Sequence, residues 1–346
     1  DETSMVSGWL FLKVLEAVHD DTVLLMLGDN SQLPPIGAGD PFSDILEHEL
    51  CPVARLTQIY RQAEDSVLLS FANEVRKGLI PTGYRATIYN DFKFEDFSIP
   101  GWFRLRNKLS KSEQDAEKDK KNTQIITRIQ DECRLLNGNK EIKTLRDMIS
   151  AWQVLSPMRK GALGTENLNR MIQQAINPSA DGKREMERGG NTYREMDKVC
   201  HLANKDMPVV SLDTYRTALR AGGLPEFTET KRVFNGSVGI VWMVDDESGV
   251  VHVVYPSLDI AVCYDFIQMG DIIGLAWCLT VHKAQGNEFA EVVIPCDSSG
   301  YIMLNNKWLY TALTRAKKRA LVVGEAYMFE KAAKTLDESK RRTVLQ

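Results

Sequence analysis

The chain has 346 residues, 43% of them apolar and 26% charged, with a formal net charge of −4. That length predicts two domains with room for a small third, and no apolar run approaches the ~18 residues that cross a bilayer, so a cytoplasmic protein with no membrane span is expected. Mild acidity does not advertise a nucleic-acid binder, although a local groove can hold a polyanion beneath an acidic exterior, and six cysteines without CxxC spacing predict buried thiols rather than a zinc site.

Residues 22–27 (TVLLML) form an apolar run ending at Gly28-Asp29 and predict a buried strand. Asp40 then caps a helix, with Pro41 in its first turn and Phe42, Ile45 and Leu46 on one face. A further helix is predicted over 66–77, stopped by Gly78. Residues 104–121 are rich in Lys, Glu and Asp and predict a solvated loop or helix face rather than a DNA-binding arm. Gln153-Val154-Leu155 predicts a strand, and Thr165 is expected to cap a helix with Leu168, Met171, Ile172 and Ala175 on one side. Residues 178–196 read as a polar loop. From 197 to 275 the pattern is β-rich, with a hairpin turn at 245–249. Strands at 291–296 and 320–324 then alternate with helices at 309–317 and 326–336, which argues for a parallel sheet covered by helices.

Two strings carry recognisable chemistry. The opening Asp1-Glu2 pair supplies two adjacent carboxylates, as nucleotide hydrolysis requires, although a solvated acidic pair is the plain alternative. In GDNSQLPPIG (28–37), Gly28-Asp29 follows the predicted strand at the sheet edge where α/β proteins bind ligands. There Gln32 offers both a donor and an acceptor to a phosphate or a water.

The ordered strings DETSM, GDNSQLPPIG, LTQIYRQ, VLSPMRKGALGTENLN, FNGSVGIV, LTVHKAQGNEF and LYTALTRAKK resemble the RecD-like branch of superfamily 1B DNA helicases. The resemblance implies an α/β fold of RecA-like P-loop NTPase motor domains, the second carrying an inserted small β-barrel. On that reading 1–103 is a remnant of the first motor domain, 104–150 a charged connector, 151–196 with 276–346 the second motor domain, and 197–275 the barrel. It implies ATP and Mg²⁺ as cofactors and 5′→3′ movement on single-stranded DNA or a single/double-strand junction. By resemblance Asp1 holds the metal and Glu2 is the catalytic base. Gln32 senses the γ-phosphate, and Arg61 and Arg315 reach it, Arg315 as the arginine finger. Either arginine alone would otherwise read as a surface salt bridge. Gly286 and Glu288 face the nucleotide. Thr280 and His282 touch the DNA backbone. Ser156, Arg159, Thr165 and Asn167 sit where a helix N-terminus presents N–H groups to the strand, with Lys160 as a further candidate. Asn235-Gly236 is the expected hairpin tip of the barrel.

The family's GxxxxGK(S/T) phosphate-binding loop has no match in the 346 residues. The expectation is therefore a fragment, or a chain completed by a partner that carries the loop, inactive as an ATPase by itself. A non-catalytic nucleic-acid-binding or scaffold subunit is the alternative.

Overall fold

The strings predicted as strands pair into two large sheets of opposite character. The computed structural model describes residues 1–56, 66–86 and 88–336. In chain order come α1 (Gly8–Ala17), α2 (Pro41–Glu47), α3 (Val67–Arg76), β1 (Phe92–Asp96), α4 (Trp102–Leu105), α5 (Lys111–Asn137), α6 (Leu145–Ser150), β2 (Trp152–Ser156) and α7 (Thr165–Ile176). Next are β3 (Glu185–Arg188), β4 (Asn191–Arg194), β5 (Lys198–His201), β6 (Lys205–Ser211), α8 (Leu212–Arg220), β7 (Glu229–Val233), β8 (Val238–Asp245), β9 (Val250–Tyr255), β10 (Ile260–Asp265), α9 (Phe266–Ile272) and β11 (Ile273–Leu275). The chain closes with β12 (Cys278–Thr280), α10 (Val281–Ala284), β13 (Phe289–Cys296), α11 (Asn306–Leu313), β14 (Ala316–Gly324) and α12 (Ala326–Lys334).

The first sheet is parallel throughout, in the order β1-β14-β13-β2-β12. Its strands are buried on both faces, as a parallel sheet between helices requires. Val292, Ile294, Ala320 and Val322 face one core with residues of α3, α11 and α12. Val293, Leu321 and Val323 alternate to the other core, with Ile125 and Ile129 of α5 and Leu168 and Ile172 of α7.

The second sheet is antiparallel, in the order β11-β5-β8-β9-β10-β6-β7. The expected 245–249 hairpin joins β8 to β9. The sheet is the small β-module expected here, and among the described residues no ladder joins β11 to β7, so it keeps two edges. One edge strand is only three residues long, and the other, β7, is exposed and carries Lys231 and Arg232. Short and charged edges both discourage further pairing.

Other expectations also change. Residues 22–27 form no strand; Val23 is 91% and Leu25 78% exposed. A strand needs a neighbour, and the bond here is Thr3 N–H to Leu27 O at 2.7 Å. β1, expected with the first block, pairs with β14 of the parallel sheet, and α3 packs on α11 and α12. The charged stretch runs into α5, whose capping box is Ser110 with Glu113. Its early turns are solvated, but Ile125, Ile129, Cys133 and Leu136 bury a stripe at helical spacing, so α5 is a layer over the parallel sheet rather than a connector. Within 178–196 lies the β3–β4 hairpin, turned by Gly189 and Gly190 at positive φ. α7 begins after Gly164, not Thr165, and Met171 is exposed. Asn235-Gly236 links β7 to β8, which are not neighbours, so it is a crossover turn rather than a hairpin. The 309–317 helix instead spans α11 and stops at Leu313, leaving Arg315 at the joint with β14.

Candidate functional site

The 28–37 string folds back onto α11. Gly28 has no room for a side chain, since a Cβ would meet Ser4 N at 2.9 Å and the Phe42 ring at 3.0 Å. Asp29 accepts from Ser31 N–H at 2.9 Å and from the Tyr310 hydroxyl at 2.9 Å. Leu33 is buried. Its N–H donates to Thr311 Oγ1 at 2.9 Å, and its carbonyl accepts from Gln285 Nε2 at 3.1 Å. Gln32, held between these anchors, accepts from the Arg315 guanidinium at 3.3 Å.

Arg315 is 3% exposed. Its Nε donates to Thr311 O at 3.2 Å, one of the carbonyls left unpaired at the end of α11. Other guanidinium nitrogens reach Asn287 O at 3.3 Å and Thr314 Oγ1 at 3.4 Å. A cation beside helix C-terminal carbonyls is electrostatically favoured. Gln32 and Arg315, 283 residues apart, therefore meet directly.

A cleft of about 540 Å³ opens beside this contact. Gly286, Glu288, His282 and Asn235 all line it, with Met5 and Ile36 of the first block. Gly286 has φ +75°, and an added Cβ would meet nothing within 4 Å, so it is the backbone conformation that calls for glycine while the space beyond stays open. Glu288 pairs with Lys317 at 2.7 Å. Lys283 lines the same cleft, and burial holds its ammonium below the usual lysine value. Behind the cleft wall, His201 Nδ1 bonds Tyr264 OH at 2.8 Å, which bonds Tyr255 OH at 2.7 Å. Burial pushes His201 down to about 4, so its imidazole is neutral at physiological pH.

The 156–167 loop differs from expectation. Ser156 is fully buried and donates to Leu163 O at 2.7 Å. Asn167 Nδ2 donates to Ala162 O at 2.8 Å. Thr165 N–H and Glu166 N–H donate to Met158 O and Arg159 O, each at 3.0 Å. The loop's own carbonyls thus occupy the N–H groups expected to meet an anion, and Ser156, Thr165 and Asn167 shape the loop. Arg159 remains outward, 78% exposed, in a loose pair with Glu166 at 3.6 Å; Lys160 is exposed too. Thr280 caps α10 by accepting from Lys283 N–H.

Asp1 is exposed and accepts from its neighbour's N–H at 2.8 Å, while Glu2 takes a left-handed conformation with φ 56°. Among the described residues no group of three or more His, Cys, Asp or Glu side chains is placed to hold a metal. Asp1 offers a single exposed carboxylate there. Arg61 lies outside the described residues. Tyr310, Thr311, Gln285 and Lys283 were not singled out from the sequence; their position inside the quoted strings was the available signal.

Residues 1–92 match an AAA domain, 168–255 the ATP-dependent RecD-like DNA helicase SH3 domain, and 275–323 the UvrD-like helicase C-terminal domain. The chain is 28% identical to the ATP-dependent RecD2 DNA helicase of Deinococcus radiodurans, over 100% of its own length and 39% of the relative's. It is 20% identical to the RecBCD enzyme subunit RecD of Buchnera aphidicola (subsp. Acyrthosiphon pisum), covering 95% of the chain and 54% of that subunit. A Bacteroides Pif1 helicase structure in complex with ADP-AlF3 and single-stranded DNA overlaps with a TM-score of 0.48 at 16% identity, covering 98% of this chain and 72% of that one. The chain therefore spans about two-fifths to half of these two sequence relatives. In the order of its three domain matches and in these relatives, the chain is similar to the RecD-like helicases.

Proposed function

We propose that these residues form the finger-bearing half of an ATP-driven motor that moves 5′→3′ along single-stranded DNA. The observation that carries the reading is the Gln32–Arg315 bond at 3.3 Å. It links a polar side chain suited to sensing a phosphate with a buried, permanently charged guanidinium. Phosphoryl transfer spreads charge over three oxygens, and catalysis is mostly positioning and charge stabilisation. Arg315 fits the arginine finger, and Gln32 fits the sensor that reports its position.

On this reading Glu2 orients the attacking water, and Asp1 contributes a carboxylate to Mg²⁺. When bound, ATP supplies the γ-phosphoryl group and Mg²⁺ neutralises its charge. Gly286 and Glu288 accept the nucleotide across the open side of the cleft. Glu288, which holds Lys317 at 2.7 Å, would offer its carboxylate to a ribose hydroxyl. Arg61 is retained as a second phosphate-reaching arginine on the family resemblance. His282, Thr280, Asn235 and the outward Arg159 are proposed to meet DNA phosphates, with Lys283 as an addition. The phosphate cradle comes from a GxxxxGK(S/T) loop outside these 346 residues, in the same polypeptide or a partner. The exposed apolar side chains Trp9, Leu10, Leu12, Val23 and Leu25 fit a further layer of protein against the first block.

The test is Arg315→Ala in the protein that joins these residues to such a loop. DNA-stimulated turnover should fall by about 10³–10⁵ while ATP binding changes far less. An unchanged kcat removes Arg315 from the finger role.

A further inference from the structure

We propose that Thr311 is a positioning residue that assembles the Gln32–Arg315 contact from both sides. The proposal rests on the motor reading above and deepens it.

Thr311 lies on α11, one turn before Arg315, and is fully buried. Its hydroxyl donates its single proton to Lys307 O at 2.7 Å, four residues back. That direction leaves the oxygen as an acceptor only, and Leu33 N–H points at it from 2.9 Å. The same residue's carbonyl accepts from Arg315 Nε at 3.2 Å. One residue thus holds the backbone next to Gln32 with its side chain and the guanidinium with its backbone. Tyr310 and Gln285 flank it, on Asp29 and on the Leu33 carbonyl. The stretch 29–33 is pinned at three points, and Gln32 lies among them.

A valine at 311 keeps the shape of threonine but cannot accept. Leu33 N–H is then left buried without its partner, and the loop moves to find one. Gln32 moves with it, while Arg315 keeps its bond to the 311 carbonyl. The loss is therefore in the relation between sensor and finger, not in either group alone.

The experiment uses the protein that carries these residues together with a phosphate-binding loop. Thr311→Val should lower DNA-stimulated kcat about tenfold to a hundredfold, from the weight of one unsatisfied buried donor, with KM for ATP within about twofold of wild type. Thr311→Ser keeps the acceptor and should restore turnover to within about threefold of wild type. In a Gln32→Ala background Thr311→Val should have no further effect, because it acts through Gln32. If Thr311→Val does not fold, Thr311→Ala removes the same acceptor with less bulk and must give the same pattern. Unchanged kcat in the 311 variants, or losses that simply multiply with Gln32→Ala, overturns the proposal. If Gln32→Ala and Arg315→Ala collapse turnover while the 311 variants do not, this proposal alone fails. If Gln32→Ala and Arg315→Ala both turn over normally, the motor reading fails and takes this proposal with it.

Discussion

At the C-terminal edge of the parallel sheet the Lys121 ammonium sits between Asp297 at 3.3 Å and Glu325 at 3.1 Å. Those carboxylates directly follow β13 and β14, and Lys121 reaches them from α5 while only 3% exposed. Replacing it with Met removes the charge but leaves two carboxylates in a dry site. Breaking a buried pair by removing one partner costs about 3–5 kcal/mol, so Lys121→Met should lower the urea midpoint accordingly. A loss below about 1 kcal/mol, the range of exposed pairs, would mean that water reaches the site. Nothing local marks this lysine within its run of charged neighbours. Burial of a single charged side chain depends on what the rest of the chain brings over it. By contrast Gln32 and Arg315 stand out in the sequence because each belongs to a string whose spacing has a chemical purpose. Their direct bond, between residues 283 apart, was not legible.

At the scale of elements, helices with local signals were readable and pairings were not. Asp40 with Pro41 opens α2, and Ser66 with Gly78 brackets α3, because caps and stops act within a turn. The run 22–27 has strand composition but no neighbour, and β1 joins a sheet built mostly from residues 200 positions later. Strand pairing is decided by distant partners, so composition misread 22–27 and gave no sign of where β1 pairs. β5 is the joint between the two sheets and yields a further prediction. Lys198 Nζ donates to Trp152 O at 2.9 Å and lies 4.5 Å from the Trp152 ring centre, while Ala276 N–H bonds the Lys198 carbonyl. Burial pushes this lysine from 10.5 down to about 7. Between those values the unfolded chain binds the proton and the folded chain does not. Unfolding free energy therefore rises with pH across that window, and for this group is flat below it. Lys198→Met should remove that rise, seen as a smaller gain in denaturation midpoint between about pH 7 and pH 9. A gain as large as wild type would show that Lys198 titrates as an ordinary lysine.

For the whole molecule, one core lies on one face of the parallel sheet, a second runs from its other face into the antiparallel module, and the 28–37 loop of the first block docks on α11. The cleft lies where all three parts meet, which is why residues as far apart as Met5, Asn235 and Glu288 line it. The finger side of the proposed motor is built and buried, whereas α1 and 22–27 show apolar side chains to solvent. On the proposed function these residues turn over ATP only when a phosphate cradle is joined to them. The direct measurement is steady-state ATP turnover, with and without a single-stranded oligonucleotide. It compares residues 1–346 alone with the same residues joined to the GxxxxGK(S/T)-bearing segment. Turnover should be negligible in the first and DNA-stimulated in the second. DNA-stimulated turnover by residues 1–346 alone, or none in the folded, joined protein, would contradict the proposed function.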